Sequence, residues 1–183
     1  MTTLNMMNTR YFIYDLNGQP LRNSAAWGNA WFARQVQVVA NADEEIKALD
    51  KITSQDLLVV DKRFASTVEG KQFSPDPSAS VKLIEYKPNF LKYSFSATSD
   101  QLTVFSEVYY PEGWKAYVDG KETPYFRANY ILRAMVVPGG NHTIEFKFHP
   151  ASYYTGEKVS LAGSLLLLLA VAGFIIYRYR KNL

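Results

Sequence analysis

The sequence contains no cysteine and only two histidines, His142 and His149. The absence of cysteine excludes a disulfide framework, a thiolate metal site and a cysteine nucleophile. Two histidines leave little scope for a multi-histidine metal centre, so we expect no metal and no cofactor. A chain of 183 residues is long enough for one ordinary domain or two small ones.

Outside its C-terminus, the sequence has no excess of positive or negative charge. The formal net charge of +3 matches the three basic residues near the end, Arg178, Arg180 and Lys181, and the remainder has equal numbers of basic and acidic residues. A nucleic-acid-binding protein would need a basic face on its folded part, so we expect no nucleic-acid partner. Sequence motifs of phosphate loops, dinucleotide folds, zinc hydrolases and serine hydrolases are absent, and we assign no catalytic residue.

One long apolar segment, Val159 to Tyr177, contains no charged residue and no proline. As a helix it would span about 28 Å, close to the hydrocarbon thickness of a bilayer. We therefore predict a transmembrane helix at 159–177, with the lipid bilayer as a partner. The basic residues that follow favour a cytoplasmic tail at 178–183, which places the preceding domain on the extracytoplasmic side.

The first 30 residues have no apolar core of the kind that signal peptides contain. A domain outside the cytoplasm would then need upstream helices for its export. We therefore expect the chain to be the end of a longer membrane protein. The alternative is a tail-anchored cytoplasmic protein of reversed orientation, which the basic tail opposes.

Residues 1–72 are predicted to form a strand–helix–strand subdomain. A β-prone run covers Phe32 to Val39, and Leu57 to Val60 is a short apolar run. Between them, Asn41 has the features of a helix N-cap with a glutamate three residues on, which predicts a helix from Ala42 to Lys51. The two strands would pair in parallel through a right-handed crossover.

Residues 81–150 are predicted to form an antiparallel β-sandwich part of the same domain, after a loop with two prolines at 73–80. Apolar and polar residues alternate from Leu91 to Thr98, as in a strand with one solvated face. Asp119-Gly120 predicts a tight hairpin, and a second hairpin is predicted from Tyr130 to Phe148. The fold class is thus mainly β (α+β): an antiparallel β-sandwich with an N-terminal strand–helix–strand unit and one C-terminal transmembrane helix.

Aromatic residues are abundant, at 15% of the chain. Two interpretations stay open. The aromatics fill the core and contact the membrane interface, or they form a platform that stacks sugar rings or docks lipid headgroups. The candidate ligand-binding residues of the second interpretation are Tyr110, Trp114, Tyr117, Arg127 and Asn129.

The segment from Tyr109 to Pro150 resembles the C-terminal extracytoplasmic segment of the bacterial YfhO family. The resemblance rests on GWKAYVDG at 113–120, RANY at 127–130 and PGGNHT at 138–143. The earlier stretches LNMMNTRYFI and GNAWFARQVQVV resemble the start of the same region in Bacteroidetes-like members.

The resemblance implies a long, multi-helix protein of the bacterial cytoplasmic membrane, similar to the GT-C glycosyltransferases that use polyprenyl-phosphate sugars. Some members are tied to glycosylation of lipoteichoic acid. In GT-C enzymes the catalytic acid lies in an early extracytoplasmic loop, so no catalytic residue carries over to this chain. The implied function is a non-catalytic accessory domain in envelope glycan glycosylation, with the other transmembrane helices and an envelope glycan as partners. The alternative is a purely structural or partner-docking β domain without a ligand.

Overall fold

The computed structural model describes residues 1–182. The α-helices are α1 (Thr2–Met6), α2 (Ala42–Ala48) and α3 (Ala151–Lys181), and 3₁₀ turns cover Leu49–Lys51 and Lys62–Thr67. The strands are β1 (Tyr11–Phe12), β2 (Leu21–Arg22), β3 (Ala30–Ala33), β4 (Gln35–Val39), β5 (Leu57–Asp61), β6 (Ser80–Lys87), β7 (Phe90–Ala97), β8 (Gln101–Val108), β9 (Trp114–Val118), β10 (Lys121–Glu122), β11 (Phe126–Ala128), β12 (Leu132–Val137) and β13 (Gly140–Phe148).

Most of these strands belong to two antiparallel sheets. The outer sheet has the order β10-β9-β13-β7-β6, and the central sheet has the order β11-β12-β8-β3. A parallel pair, β4 with β5, forms with α2 a unit that we call the α/β layer. The prediction of a mostly antiparallel β fold followed by a long apolar helix is therefore confirmed.

The central sheet is covered on both faces. On one face its Phe105 and Met135 share an apolar core with the outer sheet. On the other face its Leu102 and Val104 pack with residues of the α/β layer such as Leu58. Successive residues of a strand point to opposite faces, so β8 and β12 each supply both cores.

The predicted parallel unit is present. Residues 35–39 pair in parallel with residues 57–61, and α2 with its terminal 3₁₀ turn covers the predicted helix. Asn41 caps this helix, because its side chain accepts a hydrogen bond of 3.0 Å from the Glu44 amide. The Glu44 carboxylate in turn accepts one of 3.0 Å from the Ala40 amide, which gives the helix start a reciprocal cap.

The prediction of one strand from Phe32 to Val39 is wrong, because two strands occupy this range. β3 pairs with β8 in the central sheet, whereas β4 pairs with β5 in the α/β layer. The chain changes layer at Arg34. There the Arg34 guanidinium forms an ion pair with Asp56, and the Arg34 and Gln35 amides both donate to the Asp56 carbonyl.

The predicted hairpin at Asp119-Gly120 is confirmed. β9 and β10 pair with Lys121 opposite Val118, and both turn residues have positive φ, 50° for Asp119 and 80° for Gly120. Positive φ at both central positions is the requirement of a type I′ turn.

The second predicted hairpin, from Tyr130 to Phe148, is wrong. β12 pairs with β8 and β11 in the central sheet, and β13 pairs with β7 and β9 in the outer sheet. The Pro138-Gly139 link therefore carries the chain from one sheet to the other. A Cβ on Gly139 would lie 2.8 Å from the Cα of Ser99, so only glycine lets the link pass this closely over the β7–β8 turn.

Candidate functional site

Trp114 begins β9 and lies half-buried where β9 meets the end of β13. The guanidinium carbon of Arg133 is 4.3 Å from its ring centroid, and the Phe148 ring centroid is 5.3 Å away. The Trp114 ring is therefore held by a cation on one side and an aromatic neighbour on another.

A cleft of about 620 Å³ opens beside Trp114. Its walls are Tyr109, Pro111, Trp114, Lys115, Ala116, Glu122, Thr123, Pro124 and Tyr125. The Tyr125 hydroxyl donates toward the Trp114 carbonyl at 3.2 Å, which ties one wall to the other, and burial raises the pKa of Tyr125. Lys115 and Glu122 form an exposed ion pair of 2.9 Å at this cleft.

Tyr110 and Tyr117 differ in their surroundings. The Tyr110 side chain is 51% exposed, and its carbonyl also faces the Tyr125 hydroxyl at 3.3 Å. Tyr117 points to the opposite face of the outer sheet from Trp114, where the Lys147 ammonium lies 4.9 Å from its ring centroid. Trp114 therefore lines the cleft and Tyr110 lies at its border, whereas Tyr117 does not line it.

Arg127 lies in an ionic cluster against the α/β layer. Its guanidinium donates to the Glu45 carboxylate at 2.6 Å and lies 3.6 Å from Asp61. The Glu45 side chain is 0% exposed and also accepts from the Tyr130 amide at 2.9 Å. Hydrogen bonds from Arg63 lower the pKa of Asp61.

Asn129 is fully buried next to this cluster. Its side-chain oxygen accepts a hydrogen bond from the Val59 backbone amide at 2.9 Å, and its backbone amide donates to the Val59 carbonyl at 2.8 Å. Asn129 has φ of 47°, a left-handed conformation that asparagine tolerates better than most residues. The five residues predicted from sequence are thus found in three different surroundings: the cleft, the outer face of the outer sheet, and the ionic cluster.

A tight joint connects the sheets to α3. Gly113 has φ of 112°, and a Cβ there would lie 2.9 Å from both Phe148 and Pro150. The Gly113 carbonyl accepts from the His149 amide at 2.7 Å, and the His149 ring stacks on Tyr154 with centroids 3.7 Å apart. We call Gly113, His149, Pro150 and Tyr154 the joint. A glycine is required at its centre for both space and backbone conformation.

Sequence reasoning missed Arg133, the guanidinium beneath Trp114. Arg133 is only 2% exposed, its Nε donates to the Val108 carbonyl at 2.9 Å, and burial lowers its pKa. Burial also raises the pKa of the nearby Glu107. Arg133 lies in an apolar run of β12, and a lone basic residue there was the available signal.

Among residues 1–182, no group of three or more His, Cys, Asp or Glu side chains could hold a metal ion. Over the same residues, α3 is the one helix that is long and apolar enough to cross a membrane.

Residues 73–160 match the family model described as bacterial membrane protein YfhO. We call residues 73–160 the YfhO segment after this match. The YfhO segment contains β6 to β13, the cleft and the joint, and it ends within α3. Glu45 and Asp61, the acidic side of the ionic cluster, lie outside it. A search of curated proteins and a search of solved structures each found no match.

Proposed function

We propose that the β domain is a non-catalytic, extracytoplasmic accessory domain of a YfhO-type polytopic membrane protein that resembles the GT-C glycosyltransferases. In this proposal it serves the glycosylation of a cell-envelope glycan at the bacterial cytoplasmic membrane. Its partners are the bilayer, the other transmembrane helices and the glycan.

The joint is the observation that carries the proposal. Because Gly113, Phe148 and Pro150 are in close contact and His149 stacks on Tyr154, the β domain has a fixed attachment to α3 rather than a flexible linker. A fixed attachment suits a domain that must hold its cleft at a constant height above a membrane-facing reaction.

The extracytoplasmic orientation is supported by charge at the end of α3. Basic residues after a spanning helix favour the cytoplasm, and the last turn of α3 contains Arg178, Arg180 and Lys181.

Several acidic side chains of the domain already form ion pairs or hydrogen bonds within the fold. Glu45 is paired with Arg127, Asp119 with His142, and Asp76 with the backbone and hydroxyl groups of Ser78 and Thr98.

The orientation can be tested by cysteine labelling, because the chain contains no cysteine. Lys121→Cys lies on the exposed hairpin of the outer sheet, and Asn182→Cys lies after α3. In intact cells, a membrane-impermeant maleimide should label Lys121→Cys, and it should label Asn182→Cys only after lysis. The reverse pattern would overturn the extracytoplasmic proposal, and the unsubstituted protein is the control.

Glycan contact is assigned to the cleft, whose aromatic walls and polar rim have the character of a sugar-binding surface. The full chain in nanodiscs would be titrated calorimetrically with neutral hexose oligosaccharides up to millimolar concentration. Trp114→Ala should weaken binding at least tenfold, and Lys115→Ala, at the exposed rim, should weaken it with less risk to folding. Tyr117→Ala changes a side chain on the opposite face of β9 from Trp114 that does not line the cleft, so it should leave binding unchanged.

The second candidate is a structural or partner-docking domain without a ligand. It is favoured by the contacts of Trp114, whose ring already packs against Arg133 and Phe148, and of Tyr125, whose hydroxyl faces two carbonyls. No detectable binding by the folded parent chain at millimolar oligosaccharide would favour this candidate over glycan contact.

A further inference from the structure

Large apolar side chains are exposed at the end of the sheets where β13 runs into α3, which we call the joint end. Tyr86 is 64% exposed, Val108 is 56% exposed and Tyr110 is 51% exposed. Tyr153, in the first turn of α3, is 64% exposed. Exposed side chains of this size at one end of a domain indicate a contact surface.

Strand register places these residues at the joint end. Tyr86 lies opposite Leu91, and Leu91 lies opposite Phe146, two residues before the end of β13. Val108 ends β8, and Tyr110 lies in the short connection from β8 to β9, whose first residue pairs with Phe148. The opposite end of β13, at Gly140, is about 26 Å away along the strand.

The length of α3 sets the height of this end above the bilayer. The uncharged run begins at Val159, whereas the helix begins at Ala151, so about 12 Å of helix separates the sheets from the hydrocarbon. The headgroup layer on each side of a bilayer is about 5–7 Å thick. With an upright helix the start of α3 therefore lies about 5–7 Å above the headgroup layer. Tilting of the helix and of the attached sheets is what brings long side chains at the joint end into that layer.

The lysines near this surface are largely neutralised. Lys87 pairs with Glu85 at 2.5 Å and Lys115 with Glu122 at 2.9 Å, whereas Glu145 is shared by Lys147 at 2.8 Å and Lys92 at 3.5 Å. The joint end thus presents tyrosine and aliphatic side chains with little net charge. Tyrosine, with an apolar ring and a polar hydroxyl, is enriched at the membrane–water interface.

We propose that the joint end is a second membrane contact, in which Tyr86, Val108, Tyr110 and Tyr153 lie in the headgroup layer of the bilayer that α3 spans. The occupant of this surface is the lipid interface, because the surface is continuous with the spanning helix. The contact rests on the proposed function only for the crossing of the bilayer by α3, and it is independent of which side the domain occupies. The maleimide experiment tests the side, and depth measurements test the contact.

Depth can be measured with single-cysteine variants of the chain in nanodiscs. A bimane label at Tyr86→Cys or Tyr110→Cys should be quenched by lipids with a spin label in the headgroup at least threefold more strongly than a label at Ser99→Cys. Ser99 lies at the end of the sheets remote from the joint. Equal and weak quenching at all three positions would overturn the proposal. Iodide, a quencher dissolved in water, gives a second measurement. If the labels at the joint end were quenched weakly by the lipids and were also protected from iodide, protein would cover this surface and the proposal would be overturned.

A second set of variants tests whether the tyrosine side chains themselves hold the joint end in the headgroup layer, or whether the attachment to α3 alone places it there. With the label at Asn89→Cys, in the turn at the joint end, the double change Tyr86→Ser and Tyr110→Ser should reduce quenching at least twofold. The matched control is Tyr11→Ser with Tyr14→Ser, two exposed tyrosines of the N-terminal segment, which should change nothing. Quenching should be the same in zwitterionic and anionic lipids, and quenching confined to anionic lipids would overturn an apolar contact.

Discussion

The two faces of the central sheet are stabilised in different ways. Toward the outer sheet, the core is built from aromatic and aliphatic side chains, with the Phe105 ring 4.9 Å from both Tyr93 and Phe146. Toward the α/β layer, apolar packing is joined by the Glu45–Arg127 ion pair and by the two hydrogen bonds between Asn129 and Val59.

Because of this difference, we expect the two faces to lose stability in different ways when their residues are substituted. Apolar packing is non-directional, and its contribution follows the area and volume that are buried. A buried carboxylate depends instead on one particular cation, because an unpaired buried charge is very costly. The α/β layer should therefore be held in one register by few polar contacts, whereas the outer sheet should respond gradually to substitution.

The largest effect is expected from Arg127→Met, which leaves Glu45 buried without its cation. We expect the free energy of unfolding to fall by about 3–5 kcal/mol. The measurement is urea unfolding of the full chain in detergent micelles, followed by tryptophan fluorescence. Adding Glu45→Gln should restore most of the loss, since the neutral amide still accepts from the Tyr130 amide. A loss below 1 kcal/mol would contradict the polar role of this face.

Asn129→Ala should have the next largest effect. It leaves the buried Val59 amide without its acceptor, which costs about 1–3 kcal/mol, and alanine fits the left-handed backbone less well. The same unfolding measurement applies, with Asn141→Ala on the outer sheet as an exposed control that should change stability by less than about 0.5 kcal/mol. Equal effects of the two variants would refute the assigned role of Asn129.

Ile144→Val tests the apolar face. Removing one methylene from this buried position should cost about 0.5–1.5 kcal/mol. Tyr93→Phe is the matched polar test, because the buried Tyr93 hydroxyl has no hydrogen-bond partner among the described residues. Its removal should be neutral or slightly stabilising in the same unfolding measurement. A destabilisation above 1 kcal/mol would mean that the hydroxyl has a partner in solution.

The smallest effect is expected at the Asp119–His142 pair of the outer sheet, with Nδ1 of His142 2.6 Å from the carboxylate. The His142 ring also lies 6.0 Å from the Phe95 ring at the edge of the core. Hydrogen bonds from the Thr143 amide and from His142 lower the pKa of Asp119, and Asp119 raises the pKa of His142. The stability that Asp119 contributes to the fold is present above the pKa of the aspartate in the unfolded chain, and it is lost as the pH falls through the pKa in the folded chain. The histidine contribution is complete below its unfolded pKa and is lost as the pH rises through its folded pKa.

The pair should therefore stabilise the fold most between about pH 4 and pH 6.5. A surface pair contributes about 0.2–1 kcal/mol. His142→Ala should accordingly lower the midpoint of thermal unfolding more at pH 5.5 than at pH 8.5. A larger effect at pH 8.5 would show that the charge on His142 does not contribute.

The sequence predicted elements that have local signals. The alternation at Leu91–Ala97, the cap at Asn41 and the Asp119-Gly120 turn all gave the expected local structure. The hairpin from Tyr130 to Phe148 failed because a Pro-Gly link can join neighbouring strands or strands of different sheets. The local sequence does not distinguish the two, and the choice depends on which distant strands offer pairing partners.

The candidate site was less accessible to sequence reasoning. Glu45 is one of three consecutive acidic residues at a helix start, a pattern typical of a solvated N-terminus, yet it is buried and binds Arg127, 82 residues away. Ile46, the apolar residue that follows Glu45 in the helix, is 46% exposed instead. Arg127 and Asn129 are predicted together with Trp114 as ligand-binding residues, but strand topology separates them.

The sequence by itself determined the apolar helix, the mostly antiparallel β composition, the parallel strand–helix–strand unit and the YfhO resemblance. Each of these depends on periodicity, caps, turns or motifs that extend over a few tens of residues. The tertiary structure alone decided which sheet each of β12 and β13 joins, that β8 is buried on both faces, and that Glu45 meets Arg127. These outcomes depend on contacts between residues far apart in the chain, and a favourable long-range contact leaves no periodic trace in the local sequence.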